Sequence, residues 1–536
     1  MTVSNVNKDI VKRIDYAVSK IKKQYVSGAE TYPWLIGYSG GKDSSCAAQL
    51  TFRALIELKQ EGFSLDRDVF IFSSDTMIEN PLIKNIIEEN IKLINKKARE
   101  LNLPVKALIL RPEVDRTFWV NVIGRGYPTP NTMFRWCTDR LKIEPANAFV
   151  KKCIDKNGEV IMLLGVRDGE SGTRDRVLKT HTIEGEMLMK HTTMVNAYVF
   201  APIRHLETKD VFTYLAGYDS PWGSDNKRLF AFYEESGGGE CPMFLSESDK
   251  TSSNSCGNTR MGCWVCTVVS KDKSLSGFIS TGYYDFLKPL LSFRNWIASI
   301  RDDEDYRCHY RSNGNVYTKS LAIKEDDSGK YLLIPQKGSR EKIVIRLDKG
   351  GNPINSENKS YTLINKKMLS SYLKENNLTF KSPELTNLVL RDEITGNYER
   401  LGTGPFTDEA KKIIFEKLLE VEYNLNNSQR ERFELITDSE ILEIKKIWSK
   451  STLGVSFIDS ILEKYGRKPV DIVLDAFEIA NKKYEKLLRQ VLKKNKLDYE
   501  IANKLIVAER ENLGKTDRSN IQSIIMSTFN ADKDNF

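Results

Sequence analysis

A glycine-rich stretch, "YSGGKDSS" at 38–45, is the part of the sequence best suited to hold an anion. It follows a short apolar run and precedes a segment with helical spacing, so it lies where a strand would turn into a helix. Glycines allow backbone amides to approach an anion closely, and the start of a helix offers unpaired N–H groups. We therefore predict a phosphate-binding loop, called here the glycine loop, formed by Ser39, Gly40, Gly41, Lys42, Asp43 and Ser44.

The glycine loop is not a Walker-type P-loop. That pattern would need Gly at 36 and Ser or Thr at 43, where this chain has Ile36 and Asp43. The alternative without function is a glycine-rich turn between a strand and a helix that binds nothing.

A second candidate for anion binding is the arginine-rich segment "LLGVRDGESGTRDRVL" at 163–178. Its apolar start predicts a strand, after which Arg167 and Arg174 follow. Arginine binds phosphate or carboxylate oxygens through two parallel hydrogen bonds, so these residues would suit a polyanion. A solvated loop held by salt bridges is the alternative.

Four of the eight cysteines crowd into one glycine- and serine-rich stretch, with the spacing C-x14-C-x6-C-x2-C. Four thiolates can bind a tetrahedral zinc ion or an iron–sulfur cluster. Zinc modules usually have two close pairs, whereas this stretch has only one, so the spacing favours an iron–sulfur cluster while leaving zinc open. The predicted ligands are Cys241, Cys256, Cys263 and Cys266.

Cys137 stands alone, between Arg135 and Arg140 in "FRWCTDRLKIEP". Nearby cations lower the pKa of a thiol, as a nucleophilic or sulfur-carrying cysteine requires. The alternative is a buried, inert cysteine, and this alternative is our interpretation of Cys46, Cys153 and Cys308.

The segments around these residues predict the fold class. Short apolar strands at 34–39, 68–75, 105–112 and 160–167 alternate with helical patterns, which indicates an α/β fold with a parallel sheet and helices on both faces. In such sheets ligands bind beyond the carboxyl ends of the strands, which is where the glycine loop and Arg167 fall. The predicted division is an N-terminal helix (1–29), an α/β domain (30–225), a cluster-binding segment (226–300), a connector with strands (301–350) and a helical accessory domain (351–536).

Composition excludes some classes of protein. The chain has 536 residues, 40% of them hydrophobic and 29% charged, as in soluble globular proteins. No apolar run approaches a membrane span and the first residues are polar, so we expect a cytoplasmic protein with no membrane partner. A net charge of +8 permits contact with nucleic acid but does not demonstrate it.

The glycine loop resembles the Ser-Gly-Gly-x-Asp-Ser signature of the PP-loop ATP pyrophosphatases, which include adenylyl-sulfate reductases and tRNA-thiolating enzymes. The resemblance implies cleavage of ATP to AMP and pyrophosphate with Mg²⁺. It also implies that Asp75 and Thr76, in "SSDTMIENP", hold nucleotide or metal; a turn carboxylate is the alternative for Asp75.

Taken together, these motifs with "PIRHLETKDVFTYL", "SPWG" and "GCWVCTVV" resemble the DndC family, the sulfurtransferases of bacterial DNA phosphorothioation. This resemblance covers roughly residues 30–290 and implies ATP, a [4Fe–4S] cluster, DNA, a cysteine desulfurase as sulfur donor and other proteins of the modification system. It implies that Lys42, Asp43 and Cys137 carry the chemistry. An adenylyl-sulfate reductase, a tRNA-thiolating enzyme and a non-enzymatic DNA-bound scaffold or sensor are the alternatives.

Overall fold

The computed structural model describes most of the first 470 residues and a few beyond. The described ranges are 8–27, 31–168, 188–191, 194–236, 262–311, 315–335, 342–354, 361–380, 382–429, 432–449, 455–470 and scattered positions in 487–494. Within these ranges, no helix is both long enough and apolar enough to cross a bilayer.

A six-stranded sheet forms the centre of the N-terminal half. Its strands are β1 (Trp34–Gly37), β2 (Val69–Ser74), β3 (Val105–Leu110), β4 (Val160–Leu163), β5 (Leu188–Lys190) and β6 (Ala197–Phe200). They lie in the order β3-β2-β1-β4-β6-β5, and all neighbours are parallel except the β5–β6 pair. β2 and β4 flank β1 on opposite sides, so the loop after β1 lies at the point where the strand order reverses, the usual ligand position in such sheets.

Helices cover both faces of this sheet, as predicted. They are α1 (Lys8–Val26), α2 (Lys42–Gln60), α3 (Pro81–Glu100), α4 (Glu144–Asn157), α5 (Thr208–Gly217) and α6 (Asn226–Ser236). Alternate residues of β1 separate the faces: Trp34 and Ile36 pack into the core that α1, α2 and α3 share, whereas Leu35 packs with Val150 of α4. The predicted α/β class is therefore confirmed.

Between β3 and α4 the chain is irregular; residues 117–124 are buried, whereas 132–135 are exposed. It contains two π-helical turns, Val120–Gly124 and Asp139–Ile143, with a short helical turn, Trp136–Thr138, just before the second. π-helical turns are rare and often occur near functional sites. Cys137 lies on the short turn that leads into the second of them.

The region after the cysteine stretch begins with two helices, α7 (Lys273–Ser280) and α8 (Lys288–Ile300). Two small sheets follow. One is antiparallel and contains β8 (Ile323–Asp326), β9 (Gly329–Pro335) and β10 (Lys342–Arg346); the other contains β7 (Thr318–Ser320), β11 (Thr362–Asn365), β12 (Leu388–Arg391) and β13 (Tyr398–Leu401).

The first part of the predicted helical accessory domain (351–536) is not mainly helical. Residues 362–401 contain three strands, the short helix α9 (Leu369–Glu375) and two 3₁₀ helices. Each of these strands has four residues, too few for alternation to stand out. Further along, α10 (Asp408–Ser428), α11 (Asp438–Ser449) and α12 (Ser456–Lys464) agree with the predicted helical C-terminal region.

The C-terminal helices share a core with the α/β half of the chain. Ile414 and Phe415 of α10 belong to the same buried cluster as Ile36 of β1. Two tryptophans form hydrogen bonds across this contact. The Trp119 indole N–H donates to the Leu435 carbonyl at 2.7 Å, and the Trp448 indole N–H donates to the Ile123 carbonyl at 3.1 Å. The C-terminal helices therefore hold the first π-helical turn in place.

Replacing Trp448 with alanine should destabilise both halves of the chain together. Trp448 is fully buried, and truncating a buried aromatic side chain costs about 3–5 kcal/mol of unfolding free energy. Urea unfolding followed by circular dichroism and fluorescence would measure the loss. Ile413→Ala, at an exposed position of α10, is the control with little expected effect. An α/β half that unfolds as in the wild type would instead mean that the helices are an independent unit.

Candidate nucleotide and thiol site

The glycine loop has the backbone geometry of an anion cradle. Gly40 adopts a left-handed conformation with φ of 72°, and a Cβ atom there would lie 3.1 Å from Ile87, so glycine is required. Gly41 precedes α2 in an extended conformation, and this N-cap residue has no side chain that could accept from the first amides. The first amides of α2 therefore face the loop, as in helix N-termini that bind phosphate.

Two serines fix the shape of the loop from within. Ser44 Oγ donates to the Gly41 carbonyl at 3.0 Å and accepts from the Ser39 amide at 3.2 Å. The two hydroxyl oxygens lie 3.0 Å apart. Ser39 and Ser44 thus organise the loop, and their predicted role as direct binding residues stays a prediction.

Asp43 holds two cations beside the loop. Its Oδ2 lies 3.0 Å from Lys42 Nζ, and its Oδ1 accepts from Arg167 Nε at 2.7 Å. Arg167 is 6% exposed and also donates to Thr208 Oγ1 at 3.0 Å. The structure therefore brings Lys42, Asp43 and Arg167 together, as the sequence analysis expected of one binding site. Both carboxylate oxygens of Asp43 are engaged in ion pairs.

The close packing of the arginine segment against α2 depends on a glycine that the sequence analysis did not single out. A Cβ atom at Gly165 would lie 2.8 Å from the Asp43 carbonyl group and 2.9 Å from the Ser44 amide. Any side chain there would push Arg167 away from Asp43. A glycine directly after the apolar run of β4 was the available signal.

Asp75 and Thr76 follow β2 but face different partners. Asp75 Oδ1 accepts from the Met77 amide at 2.8 Å, and its Oδ2 accepts from Arg111 at 2.9 Å. Met77 has a φ of 64°, so Asp75 closes a tight turn, as its alternative interpretation held. Thr76 is fully buried and donates to Glu79 at 3.0 Å.

Part of the cysteine stretch pairs with this turn. The backbone of Cys263 forms an antiparallel bridge with Glu79, the Trp264 amide donates to the Ile78 carbonyl at 3.1 Å, and Thr76 Oγ1 lies 3.4 Å from Cys263 Sγ. The Cys266 amide donates to the Cys263 carbonyl at 3.1 Å, which closes the C-x2-C turn. Burial raises the pKa of Cys263, and the Glu79 carboxylate raises it further.

Cys137 lies near the same pair of cysteines. Burial, followed by the nearby Cys266 thiol, raises the pKa of Cys137, so the predicted lowering by Arg135 and Arg140 is wrong. The reason is that Arg140 points away, donating to Asn121 at 2.9 Å and to Tyr127 at 3.2 Å. Cys137, Cys263 and Cys266 are called here the thiol group.

Lys142 is the cation that acts on the thiol group, and the sequence analysis missed it. Its ammonium lies 3.4 Å from Glu79 Oε1. Burial by itself would lower the pKa of Lys142, but its interactions with the Glu79 carboxylate and with Cys263 and Cys137 outweigh burial and raise it. Lys142 therefore stays protonated at neutral pH. Its position in the second π-helical turn, five residues after Cys137, gave no recognisable sequence signal.

An open cleft of about 220 Å³ joins the glycine loop to the Lys142–Glu79 pair. Its walls come from the carboxyl ends of β1 and β2 and from α3, and its lining residues are Gly37, Tyr38, Ser39, Phe72, Ser73, Ser74, Glu79, Ile83, Ile87 and Lys142. A ligand in this cleft would touch the loop at one end and lie beside the thiol group at the other.

The remaining predicted residues divide into two sets. Cys46, Cys153 and Cys308 are buried, as their structural interpretation held, and burial raises the pKa of Cys46 and Cys153. Arg174, Cys241 and Cys256 lie outside the described residues. Within the described part of the chain, no group of three or more His, Cys, Asp or Glu side chains is arranged to hold a metal ion.

Solved structures of FMN adenylyltransferase from Candida glabrata show only a distant likeness. One is in complex with FAD and inorganic pyrophosphate, another with FMN and the ATP analog AMPCPP. They are 13% and 12% identical to this chain, cover 40% of it and 61% and 60% of their own length, and have a TM-score of 0.25.

Two uncharacterized proteins of Methanocaldococcus jannaschii are similar in sequence. MJ0066 is 28% identical over 251 residues, which is 46% of this chain and 42% of that protein. MJ0973 is 28% identical over 173 residues, which is 32% of this chain and 35% of that protein. The matched region thus spans less than half of either relative.

The family model of the phosphoadenosine phosphosulfate reductase domain matches residues 33–269. This region contains the glycine loop, Arg167, the thiol group and the cleft. Residues 33–269 are therefore similar to a phosphoadenosine phosphosulfate reductase domain of the PP-loop superfamily, which supports a sulfur-related enzyme that uses an adenine nucleotide.

Proposed function

We propose that this protein is an ATP-dependent sulfurtransferase of the DndC type, which replaces a non-bridging oxygen of a DNA backbone phosphate by sulfur. The observation that carries the proposal is the cleft, which joins an anion-binding loop at Ser39 to Lys142 beside the thiol group. A nucleotide can be cleaved at one end and sulfur delivered at the other without a large movement between them.

The loop end would bind and cleave ATP. The amides at the start of α2 and the ammonium of Lys42 would hold the β and γ phosphates, and Arg167, fixed by Asp43, would add a second positive charge. A phosphate oxygen of DNA would attack the α-phosphorus, the bond to the β-phosphate oxygen would break, and pyrophosphate would leave. The product is DNA with AMP attached through that oxygen.

The thiol end would supply sulfur. A cysteine desulfurase would load Cys137 with a terminal sulfur as a persulfide, whose outer sulfur attacks the adenylated phosphorus while AMP leaves with the oxygen. A second thiolate then attacks the Cys137 sulfur, forms a disulfide and releases the DNA phosphorothioate. A thiol reductant restores both cysteines. Lys142 is placed to stabilise the persulfide anion, since a negative charge on Cys137 would interact with its ammonium.

A [4Fe–4S] cluster remains part of the proposal. Cys263 and Cys266 lie on one tight turn, a donor pair that suits a cluster, and Cys241 and Cys256 would complete the set. When bound, the cluster would supply a covalent staple for this segment and a centre for electron transfer. Mg²⁺ is proposed to arrive with ATP, held by phosphate oxygens and water, with Asp43 and Asp75 nearby.

The alternatives named above predict different products. An adenylyl-sulfate reductase would release sulfite in the presence of a thiol reductant, and a tRNA-thiolating enzyme would place sulfur in RNA. A DNA-bound scaffold or sensor would consume no ATP.

Lys42→Ala should lower the rate of ATP cleavage roughly 10- to 100-fold, the loss expected when one charged hydrogen bond to phosphate is removed. Purified protein, ATP, Mg²⁺ and DNA would be assayed for AMP and pyrophosphate in equal amounts. Lys12→Ala, which changes an exposed lysine of α1, is the control expected to match the wild type. Release of ADP and inorganic phosphate would refute the proposed cleavage.

Cys137→Ser should abolish sulfur incorporation into DNA while ATP cleavage and iron content stay at wild-type values, because the loop is untouched. Mass spectrometry of nuclease-digested DNA measures the phosphorothioate. Cys153→Ala is the matched control, since Cys153 packs in the core behind β1. Sulfur incorporation at the wild-type rate would rule out the carrier role. Loss of iron in Cys137→Ser would assign Cys137 to the cluster instead.

Cys263→Ser should remove most of the iron and acid-labile sulfide from anaerobically purified protein, because it deletes one of four predicted ligands. The same Cys153→Ala variant should keep both. Zinc in place of iron in the wild-type protein, or full iron in the Cys263→Ser variant, would contradict the cluster assignment.

A further inference from the structure

Tyr233 of α6 places its hydroxyl group on the glycine loop. The Lys42 amide, the first of α2, donates to Tyr233 Oη at 3.0 Å. A Cβ atom at Gly41 would lie 3.5 Å from the same oxygen, so the hydroxyl sits directly against the loop. Tyr233 is 9% exposed, and neither the loop motif nor the proposed mechanism gives it a role.

This hydroxyl lies where a phosphate oxygen would have to lie to accept from the Lys42 amide. The first amides of α2 have no partner within the helix and are the donors that an anion at this loop would use. An amide N–H carries one hydrogen and forms one strong linear bond. The Lys42 amide therefore cannot serve the Tyr233 hydroxyl and a phosphate oxygen at the same time.

The rest of the tyrosine is held firmly. Its ring packs edge-on against Phe212 of α5, with centroids 5.9 Å apart, and Lys42 Nζ lies 6.0 Å from both ring centroids. α6 is itself fixed to the following region, because Phe232 packs on Phe278 at 4.5 Å and Tyr284 donates to Glu235 at 3.0 Å. The hydroxyl is therefore presented to the loop by a packed scaffold.

We propose that Tyr233 is a positioning residue that competes with the nucleotide. Its hydroxyl satisfies the Lys42 amide while the loop is empty, and a phosphate oxygen displaces it on binding. The inference rests on the proposed function, because it requires that a phosphate enters the loop. Its consequence is that the loop keeps its shape without ligand, at the cost of part of its affinity for phosphate.

The test is Tyr233→Phe, which removes the hydroxyl and keeps the ring. Binding of pyrophosphate would be measured by calorimetry on the full-length protein, together with hydrogen exchange of peptides covering 38–46 in the absence of ligand. The variant should bind pyrophosphate about 2- to 10-fold more tightly, the worth of one neutral hydrogen bond, and its loop amides should exchange faster without ligand. Tyr284→Phe removes a hydroxyl that bonds to the same helix but not to the loop, so it should behave as the wild type.

Unchanged or weaker binding of pyrophosphate by Tyr233→Phe would overturn the inference. Weaker binding would mean that the hydroxyl is a ligand of the phosphate and not its competitor. Lys42→Ala separates the two proposals. If the wild type binds pyrophosphate, Lys42→Ala does not, and Tyr233→Phe equals the wild type, only the role of Tyr233 falls. If neither the wild type nor any variant binds pyrophosphate, the proposed function falls, and the inference falls with it.

Discussion

The carboxylate of Asp43 is the contact on which the geometry of the loop depends. It forms ion pairs with Lys42, the residue before it in sequence, and with Arg167. Arg167 follows β4, which neighbours β1 on the side opposite β2. Two like charges near one loop would repel each other if no anion lay between them. Asp43 keeps both cations beside the loop when no anion is bound. The close packing of Gly165 against α2 permits this pairing.

A second constraint places the thiols. The backbone at 262–264 pairs with the backbone at 78–80, in the segment that follows β2. The C-x2-C turn is therefore attached beside β2, whose end lines the cleft. The Glu79 carboxylate joins the two parts, because it accepts from Thr76 and pairs with Lys142. Cys137 lies in the same region, on the short turn that leads into the second π-helical turn. This turn is steadied by the bond from Arg140 to Asn121 and by the C-terminal helices that pack on the first π-helical turn.

The local features of this fold could be predicted from the sequence, and the distant contacts could not. The strands around the loop and α2 follow from apolar runs and a glycine turn, signals carried by adjacent residues. For Arg167 and Asp43, the sequence predicted that both lie beyond the carboxyl ends of the strands, but not that they form an ion pair. Tyr233 and Lys142 gave no signal, because Tyr233 acts through Lys42, 191 positions away, and Lys142 is held by an ion pair with the distant Glu79. The raised pKa of Cys137 was missed for a similar reason. Two arginines close to it in sequence suggested a lowered pKa, but burial and Cys266 raise the pKa.

The balance of charge around the cleft bears on what can bind there. Lys42 and Arg167 outnumber Asp43 by one positive charge, and the Lys142–Glu79 pair adds none. A nucleoside triphosphate brings several negative charges, so these residues alone would leave most of them uncompensated. A divalent cation bound to the phosphates would supply part of the difference, as in other sites where phosphates and water provide most of the Mg²⁺ ligands. Under the proposed function, the loop would therefore bind a metal-bound triphosphate. After the proposed cleavage, pyrophosphate would leave with its cation, and the Tyr233 hydroxyl would return to the Lys42 amide.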